Sequence, residues 1–238
     1  MSYYNPYSPS MVAESPLETR TDFVRKTYIH LAAAIGLFAV LETLLIKMGA
    51  GTAALELLSA GRYSWLIVLL AFAGVSALAN KMAYSGASKG AQYAGLIIYT
   101  VAEAVIFLPL IMMATIVDVN IIGKAGVVTG FMVLGLTAIA FTTKKDFTFL
   151  GGTLKIVGLV ALGVIVAGVF MPSLMAGMGI WFSIAMVVFA SGCILYNTSA
   201  IMYRYAPGQH VAAALSLFAS VALLFWYVLR IFLSSSRN

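Results

Sequence analysis

Residues 178–202 read MGIWFSIAMVVFASGCILYNTSAIM, and residues 211–233, after a short polar segment, read VAAALSLFASVALLFWYVLRIFL. Each run exceeds the roughly 20 apolar residues that an α-helix needs to cross the hydrocarbon core of a membrane. The segment between them contains Ala206-Pro207-Gly208, a combination that favours a turn. The two runs therefore predict a pair of antiparallel membrane helices.

The rest of the chain has the same apolar character. Hydrophobic residues make up 62% and charged residues 9%, whereas soluble domains are about half apolar and a quarter charged. Backbone polar groups in lipid must be paired within their own segment, and the runs lack the alternation of barrel strands. We therefore predict an all-α integral membrane protein with seven spans, at 28–45, 65–79, 91–117, 121–141, 156–171, 178–202 and 211–233.

Positive charges are distributed unequally between the two sides of this topology. The side of the N-terminus carries nine: Arg20, Arg25, Lys26, Lys81, Lys89, Lys144, Lys145, Lys155 and Arg204. The opposite side carries five: Lys47, Arg62, Lys124, Arg230 and Arg237. The positive-inside rule then predicts a cytoplasmic N-terminus and a C-terminus across the membrane. The same rule explains the net charge of +6 without nucleic acid as a partner, since no basic stripe or RNA-binding motif is present.

The N-terminal residues differ from the remainder of the chain. Residues 1–22 are rich in Tyr, Pro and Ser and contain no long apolar run. We expect a flexible cytoplasmic tail at 1–22 and one seven-helix transmembrane domain at 23–238, with an uncleaved first helix. The single Cys193 lies inside a predicted span, so we expect no internal disulfide, no metal site and no cofactor. Small residues are expected to mark close helix packing at Gly126, Gly130, Gly158, Gly163 and Gly168.

Charged residues inside a bilayer are costly and therefore functional candidates. Glu103 lies about 12 residues into the third span, which is about 18 Å deep at 1.5 Å per residue and near the midplane. Either it is protonated and hydrogen-bonded between helices, or it lines a wet cavity and exchanges a proton or cation. Glu42 lies in the last turns of the first span, where we expect it to reach the interface or to pair with Lys47.

Asn197 and Ser220 lie on the two helices of the C-terminal hairpin. Asn197 is about ten residues before the turn and Ser220 about twelve after it, so their depths agree within about one helical turn. Their side chains can form an interhelical hydrogen bond, which is the plain structural interpretation of the pair.

Five segments carry a resemblance to a known family. They are FVRKTYIHL at 23–31, Glu103 with FLPL at 107–110, KKDFTFLGG at 144–152, ILYNTS at 194–199, and AALSLF at 213–218 leading to Arg230. Together they resemble the transmembrane Bax inhibitor motif family, particularly its YccA-like bacterial branch. The resemblance implies six helices around a central seventh, a location in the bacterial inner membrane and a role in ion homeostasis.

The resemblance also implies two alternative functions. Better-known relatives behave as pH-sensitive calcium leaks, gated by two aspartates whose positions correspond here to Asn197 and Ser220. Since neither residue ionises, we expect a calcium or other cation leak that lacks the di-aspartyl gate, with Glu103, Asn197 and Ser220 as candidates for the ion path. YccA-like relatives are also associated with a membrane-anchored, ATP-dependent protease, so the alternative is a regulatory binding partner of such a protease.

The segment around Asp146 has two interpretations. Asp146 can cap the fifth spanning helix, or it can belong to a cytoplasmic docking surface formed by Lys144, Lys145, Asp146 and Arg204.

The residues do not fit an intramembrane protease. A serine protease needs a base beside its nucleophile, but His210 is about 15 Å along the helix from Ser220. Aspartyl intramembrane chemistry needs two intramembrane aspartates, and every Asp lies outside the spans. We therefore expect no enzymatic activity.

Overall fold

The computed structural model describes residues 11–84, 88–143 and 145–236, except for the side chains of 174–177. Within these residues the chain forms helices only, with a 3-10 helix at Val12–Glu14 and another at Phe147–Leu150. The α-helices are α1 (Leu17–Lys47), α2 (Ala50–Ser59), α3 (Ser64–Tyr84), α4 (Lys89–Asp118), α5 (Asn120–Thr142), α6 (Gly151–Phe170), α7 (Pro172–Tyr203) and α8 (His210–Ser235).

Seven of the described helices, all but α2, are long and apolar enough to cross a membrane. The predicted number of spans is therefore confirmed, and the chain is an integral multi-pass membrane protein whose helices contact lipid. An odd number of spans puts the two ends of the chain on opposite faces of the bundle. We call these the N-terminal face, which also carries the α7–α8 turn, and the C-terminal face, where α8 ends.

The helices extend beyond the predicted spans because polar residues continue them into the interface. α1 starts at Leu17, well before the predicted start at residue 28. Of the predicted tail, residues 11–22 form a 3-10 helix and the first turns of α1. Val12 is fully buried, and its backbone N–H donates to the Tyr205 carbonyl oxygen at 2.9 Å. This part of the tail prediction is corrected, while residues 1–10 lie outside the described residues.

Two helices form the interior of the bundle. In the most apolar 18-residue stretch of each spanning helix, 67% of the residues are buried in α8 and 61% in α4, whereas the share does not exceed 28% in any other span. α8 packs against α1, α3, α4, α5 and α7, which is the central position implied by the family resemblance. α4 shares the interior with it. α6 packs mainly on α7 and makes only a small contact with α3, so it lies at the edge of the bundle.

Glycine marks close helix packing, but mostly at other positions than expected. A Cβ on Gly95 would lie 2.6 Å from the backbone oxygen of Ala79, so α3 and α4 approach closely there. Gly158 of the predicted set does face Phe189, at 3.3 Å. The expectation is wrong for three positions, where a Cβ would meet no atom within 4 Å: Gly126, Gly130 and Gly163. Near the start of α7, Gly179 has φ 35° and ψ −117°, which glycine tolerates, and the helix changes direction.

Candidate functional site

A groove of about 1270 Å³ lies between α3, α4 and α8 on one side and α6 and α7 on the other. It reaches from Lys155, near the start of α6, to Ser234, near the end of α8. The groove therefore runs along most of the height of the bundle. Its wall is mainly apolar and aromatic, and the polar side chains that interrupt it include Asn80, Glu103, Lys155, Asn197, Ser216, Ser220 and Arg230.

Glu103 stands in the wall of this groove, halfway along α4. The residue is 6% exposed, and the hydroxyl of Tyr99, one turn earlier, is within reach to donate a hydrogen bond to its carboxyl. Among the described residues that line the groove, Glu103 is the only acid. Its place beside open space keeps the wet-cavity interpretation available, and the nearby Tyr99 hydroxyl is the donor that a dry interpretation would use.

Asn197 and Ser220 meet, as the hairpin geometry predicts. The Asn197 Nδ2 group donates to Ser220 Oγ at 2.7 Å and to the Ser216 carbonyl oxygen at 3.2 Å. Ser220 Oγ in turn donates to the Ser216 carbonyl oxygen at 3.2 Å. The contact holds α7 to α8 beside the groove through neutral groups alone. The assignment of the pair to an ion path or gate stays a prediction.

Three hydroxyl groups extend this contact toward the N-terminal face. Tyr205 Oη donates to Ser216 Oγ at 3.0 Å. Tyr84 Oη lies 2.6 Å from Tyr205 Oη and 2.7 Å from Ser216 Oγ. Burial raises the pKa of the Tyr205 hydroxyl, which keeps it protonated as a donor. We call these three residues, Tyr84, Tyr205 and Ser216, the hydroxyl cluster. The cluster joins α3 to the α7–α8 hairpin.

Sequence reasoning missed the hydroxyl cluster. Tyr84 ends α3, Tyr205 lies in the turn after α7, and Ser216 lies in α8. The only signal in the sequence was that all three fall near span ends on the same predicted side, which is an ordinary place for tyrosine.

Glu42 is a correction to the sequence analysis. The residue is 6% exposed, and neither carboxyl oxygen has a hydrogen-bond partner among the described residues. The ion pairs of the described residues involve Asp22 and Asp118, so Glu42 does not pair with Lys47. The expectation of an interfacial or paired side chain is wrong because α1 turns this residue toward the interior of the bundle.

The predicted cytoplasmic surface is exposed and fixed in position. The Asp146 carboxylate accepts a hydrogen bond from the Thr148 N–H at 2.8 Å, so it caps the 3-10 helix that leads into α6. Ser199 Oγ accepts from the Phe147 N–H at 2.9 Å and donates to the Lys145 carbonyl oxygen at 3.3 Å. These bonds hold the loop on α7, with Lys145, Asp146 and Arg204 exposed. Lys144 lies outside the described residues.

Each end of the groove carries a cation. Lys155 is exposed near the N-terminal face, while Arg230 is partly buried near the C-terminal face with its guanidinium 5.8 Å from the centre of the Tyr227 ring. Neither forms an ion pair with any described acid. Over the described part of the chain, no three His, Cys, Asp or Glu residues group closely enough to hold a metal ion.

The chain is similar in sequence to several known proteins. Mouse protein lifeguard 4 is 26% identical over 231 residues, covering 93% of this chain and 88% of the mouse protein. The modulator of FtsH protease YccA from Escherichia coli is 32% identical over 115 residues, covering 45% of this chain and 51% of YccA. An uncharacterized protein of Pseudomonas aeruginosa is 34% identical over 113 residues, covering 48% and 50%. The similarity to the two bacterial relatives thus spans about half of their length.

The family model described as inhibitor of apoptosis-promoting Bax1 matches residues 20–238, which include every spanning helix almost completely. The extent of this match shows that the chain belongs to the Bax inhibitor family of membrane proteins.

Proposed function

We propose that this chain is an ion-homeostasis protein of the bacterial inner membrane that lets calcium or another cation leak through the groove. The observation that supports this proposal is the carboxyl of Glu103 in the groove wall, halfway along α4. A carboxyl at that depth is expensive to keep in a purely structural role. In a hydrated groove it would serve as the cation or proton site of the path.

Asn197 and Ser220 would form a neutral part of the path. Two carboxylates at this distance could not both be charged cheaply, and such a pair would couple conduction to pH. The amide and hydroxyl present here instead offer oxygen ligands and hydrogen bonds that do not change with pH. The proposed leak therefore lacks the two-carboxylate gate.

The ends of the groove would make the leak slow. Lys155 and Arg230 are cations without acidic partners among the described residues. Positive charge at a mouth lowers the local concentration of other cations. We expect a low conductance that rises when Arg230 is neutralised.

The test is calcium uptake by liposomes that contain the purified chain and no other protein. Uptake should exceed that of empty liposomes, and Arg230→Gln should increase it several-fold. Lys47→Gln, which removes an exposed cation of the same face outside the groove lining, should not increase it. Uptake equal to that of empty liposomes for both the parent and Arg230→Gln would contradict the proposal.

A second candidate is regulation of a membrane-anchored ATP-dependent protease, with the N-terminus and the α7–α8 turn in the cytoplasm. It is favoured by the similarity to YccA, which is named a modulator of FtsH protease, and by the loop that Ser199 holds on α7 with its charged side chains exposed. Neither role requires a catalytic residue. Reversing the charges with Lys145→Glu and Arg204→Glu should reduce co-purification with such a protease, and recovery equal to the parent would remove this surface from the binding model.

A further inference from the structure

The groove opens toward the bilayer between α3 and α6. Both helices line it, through Leu69 and Phe72 of α3 and through Leu154 and Ile165 of α6, but they make only a small contact with each other. Arg62, just before α3, donates hydrogen bonds to the backbone oxygens of Val169 and Phe170 at the end of α6. These bonds join the two helices at the C-terminal face, so a molecule from the bilayer would enter nearer the N-terminal face.

The middle of the groove has the character of an acyl-chain site. Its wall there is built from apolar side chains, among them Leu69, Phe72, Ile106, Ile165 and Leu223. The volume of about 1270 Å³ exceeds the range of about 300–1,000 Å³ that is usual for small-molecule pockets. Long hydrocarbon chains would fill this space with little loss, because they leave an equally apolar surrounding.

The end of the groove near the N-terminal face has the character of a phosphate site. Its lining there includes Lys155, Asn80 and Tyr196, which offer an ammonium, an amide and a phenol as hydrogen-bond donors. The Asn80 amide donates one hydrogen to the Ser76 carbonyl oxygen at 2.8 Å and has the other left for a ligand. Lys155 has no acidic partner among the described residues. Hydrogen bonds between a cation and a phosphate oxygen are among the stronger ones in proteins. Basic pockets between spanning helices are a recognised binding mode for anionic lipid headgroups.

We propose that the groove holds an anionic phospholipid from the leaflet at the N-terminal face, with its phosphate at Lys155 and its acyl chains between α3 and α6. The charge of Lys155 and the donors beside it select an anionic head, and the apolar wall holds the chains. Acyl chains in the groove would displace water beside Glu103, so a bound lipid would block the leak proposed above. The lipid site stands on the groove alone, whether or not ions pass through the groove when it is empty.

The head is tested with two labelled lipids of equal chain length, phosphatidylglycerol and phosphatidylcholine. Each is titrated in mixed micelles onto the purified, delipidated full chain. The parent should bind phosphatidylglycerol about fivefold more tightly, the factor expected for one lysine near an anionic lipid. Lys155→Gln should abolish this preference and Lys155→Arg should restore it. Lys145→Gln, an exposed lysine of the same face that does not line the groove, should leave it unchanged.

The chains are tested by filling the groove. Ile165→Trp on one wall and Leu69→Trp on the other should each reduce the binding of both lipids. The melting temperature of each variant is compared with that of the parent, and lipid binding is compared for the variants that match it. Equal affinity for the two lipids in the parent, or a preference that survives Lys155→Gln, would overturn the proposed head site. Unchanged binding in a folded tryptophan variant would show that lipid binds only the outer surface of the protein and would overturn the groove site.

Discussion

The Asn197 amide nitrogen donates to Ser220 Oγ at 2.7 Å, across the interface of α7 and α8. The same amide also donates to the Ser216 carbonyl oxygen, and Ser216 Oγ belongs to the hydroxyl cluster. The helices are thus held together beside the groove by groups that keep the same charge at every working pH. Two aspartates at these positions, as the family resemblance implies for better-known relatives, would instead place two titratable carboxyls at this contact.

The first prediction concerns pH. The parent should show no coupled two-carboxylate step in flux between pH 5 and 8, and any step that does appear should vanish in Glu103→Gln. The chain has two histidines, and neither lines the groove.

The double variant Asn197→Asp, Ser220→Asp should acquire such a step. Charging both carboxylates at close quarters separates α7 from α8, so its melting temperature should fall as the pH rises through this range. A steep step in the parent that survives Glu103→Gln would contradict this account of the pair.

The second prediction concerns the hydroxyl cluster. Tyr205→Phe removes the hydroxyl that donates to Ser216 and contacts Tyr84, and it should lower the free energy of unfolding by about 1–2 kcal/mol. Tyr203→Phe alters an exposed tyrosine two residues away and should change it by less than about 0.5 kcal/mol. Thermal or denaturant melts in one detergent compare the two, and equal effects would mean that the cluster does not stabilise the hairpin.

The third prediction concerns Glu42. Its carboxyl oxygens are buried without a partner among the described residues, so Glu42→Leu should raise the free energy of unfolding by about 1–3 kcal/mol. Glu56→Leu, at an exposed position of α2, is the matched control and should have little effect. A loss of stability in Glu42→Leu would contradict the burial of an unpaired carboxyl at this position.

The fourth prediction concerns the α3–α4 contact. Gly95→Ala would put a Cβ 2.6 Å from the Ala79 oxygen, and the backbone would have to move, at a cost of about 1–3 kcal/mol. Gly126→Ala adds a Cβ where no atom lies within 4 Å and should leave stability unchanged or slightly higher. Similar melting temperatures for the two variants would contradict the close approach of α3 and α4.

The lengths of the apolar runs were sufficient to predict the seven spans and the common depth of Asn197 and Ser220, because the rise per residue converts position along a helix directly into depth.

These lengths could not predict what packs around an individual side chain. Glu42 is buried because of the helices that α1 faces, and Gly95 is tight because α3 lies against it. α2 was missed because ten residues are too few to span, and the early start of α1 because polar residues continue a helix outside the lipid. The hydroxyl cluster unites residues from three separate parts of the chain, which no local pattern reveals.

The most direct test of the proposed leak is calcium flux through Glu103→Gln in liposomes, measured together with its melting temperature. Glutamine keeps the shape and the hydrogen bonding of the side chain but removes its charge, so flux should fall at least about tenfold, a barrier increase of about 1.4 kcal/mol, while the melting temperature stays close to that of the parent. Glu56→Gln, at an exposed position outside the groove, should conduct as the parent does. Parental flux through a folded Glu103→Gln protein would remove Glu103 from the ion path and contradict the central claim.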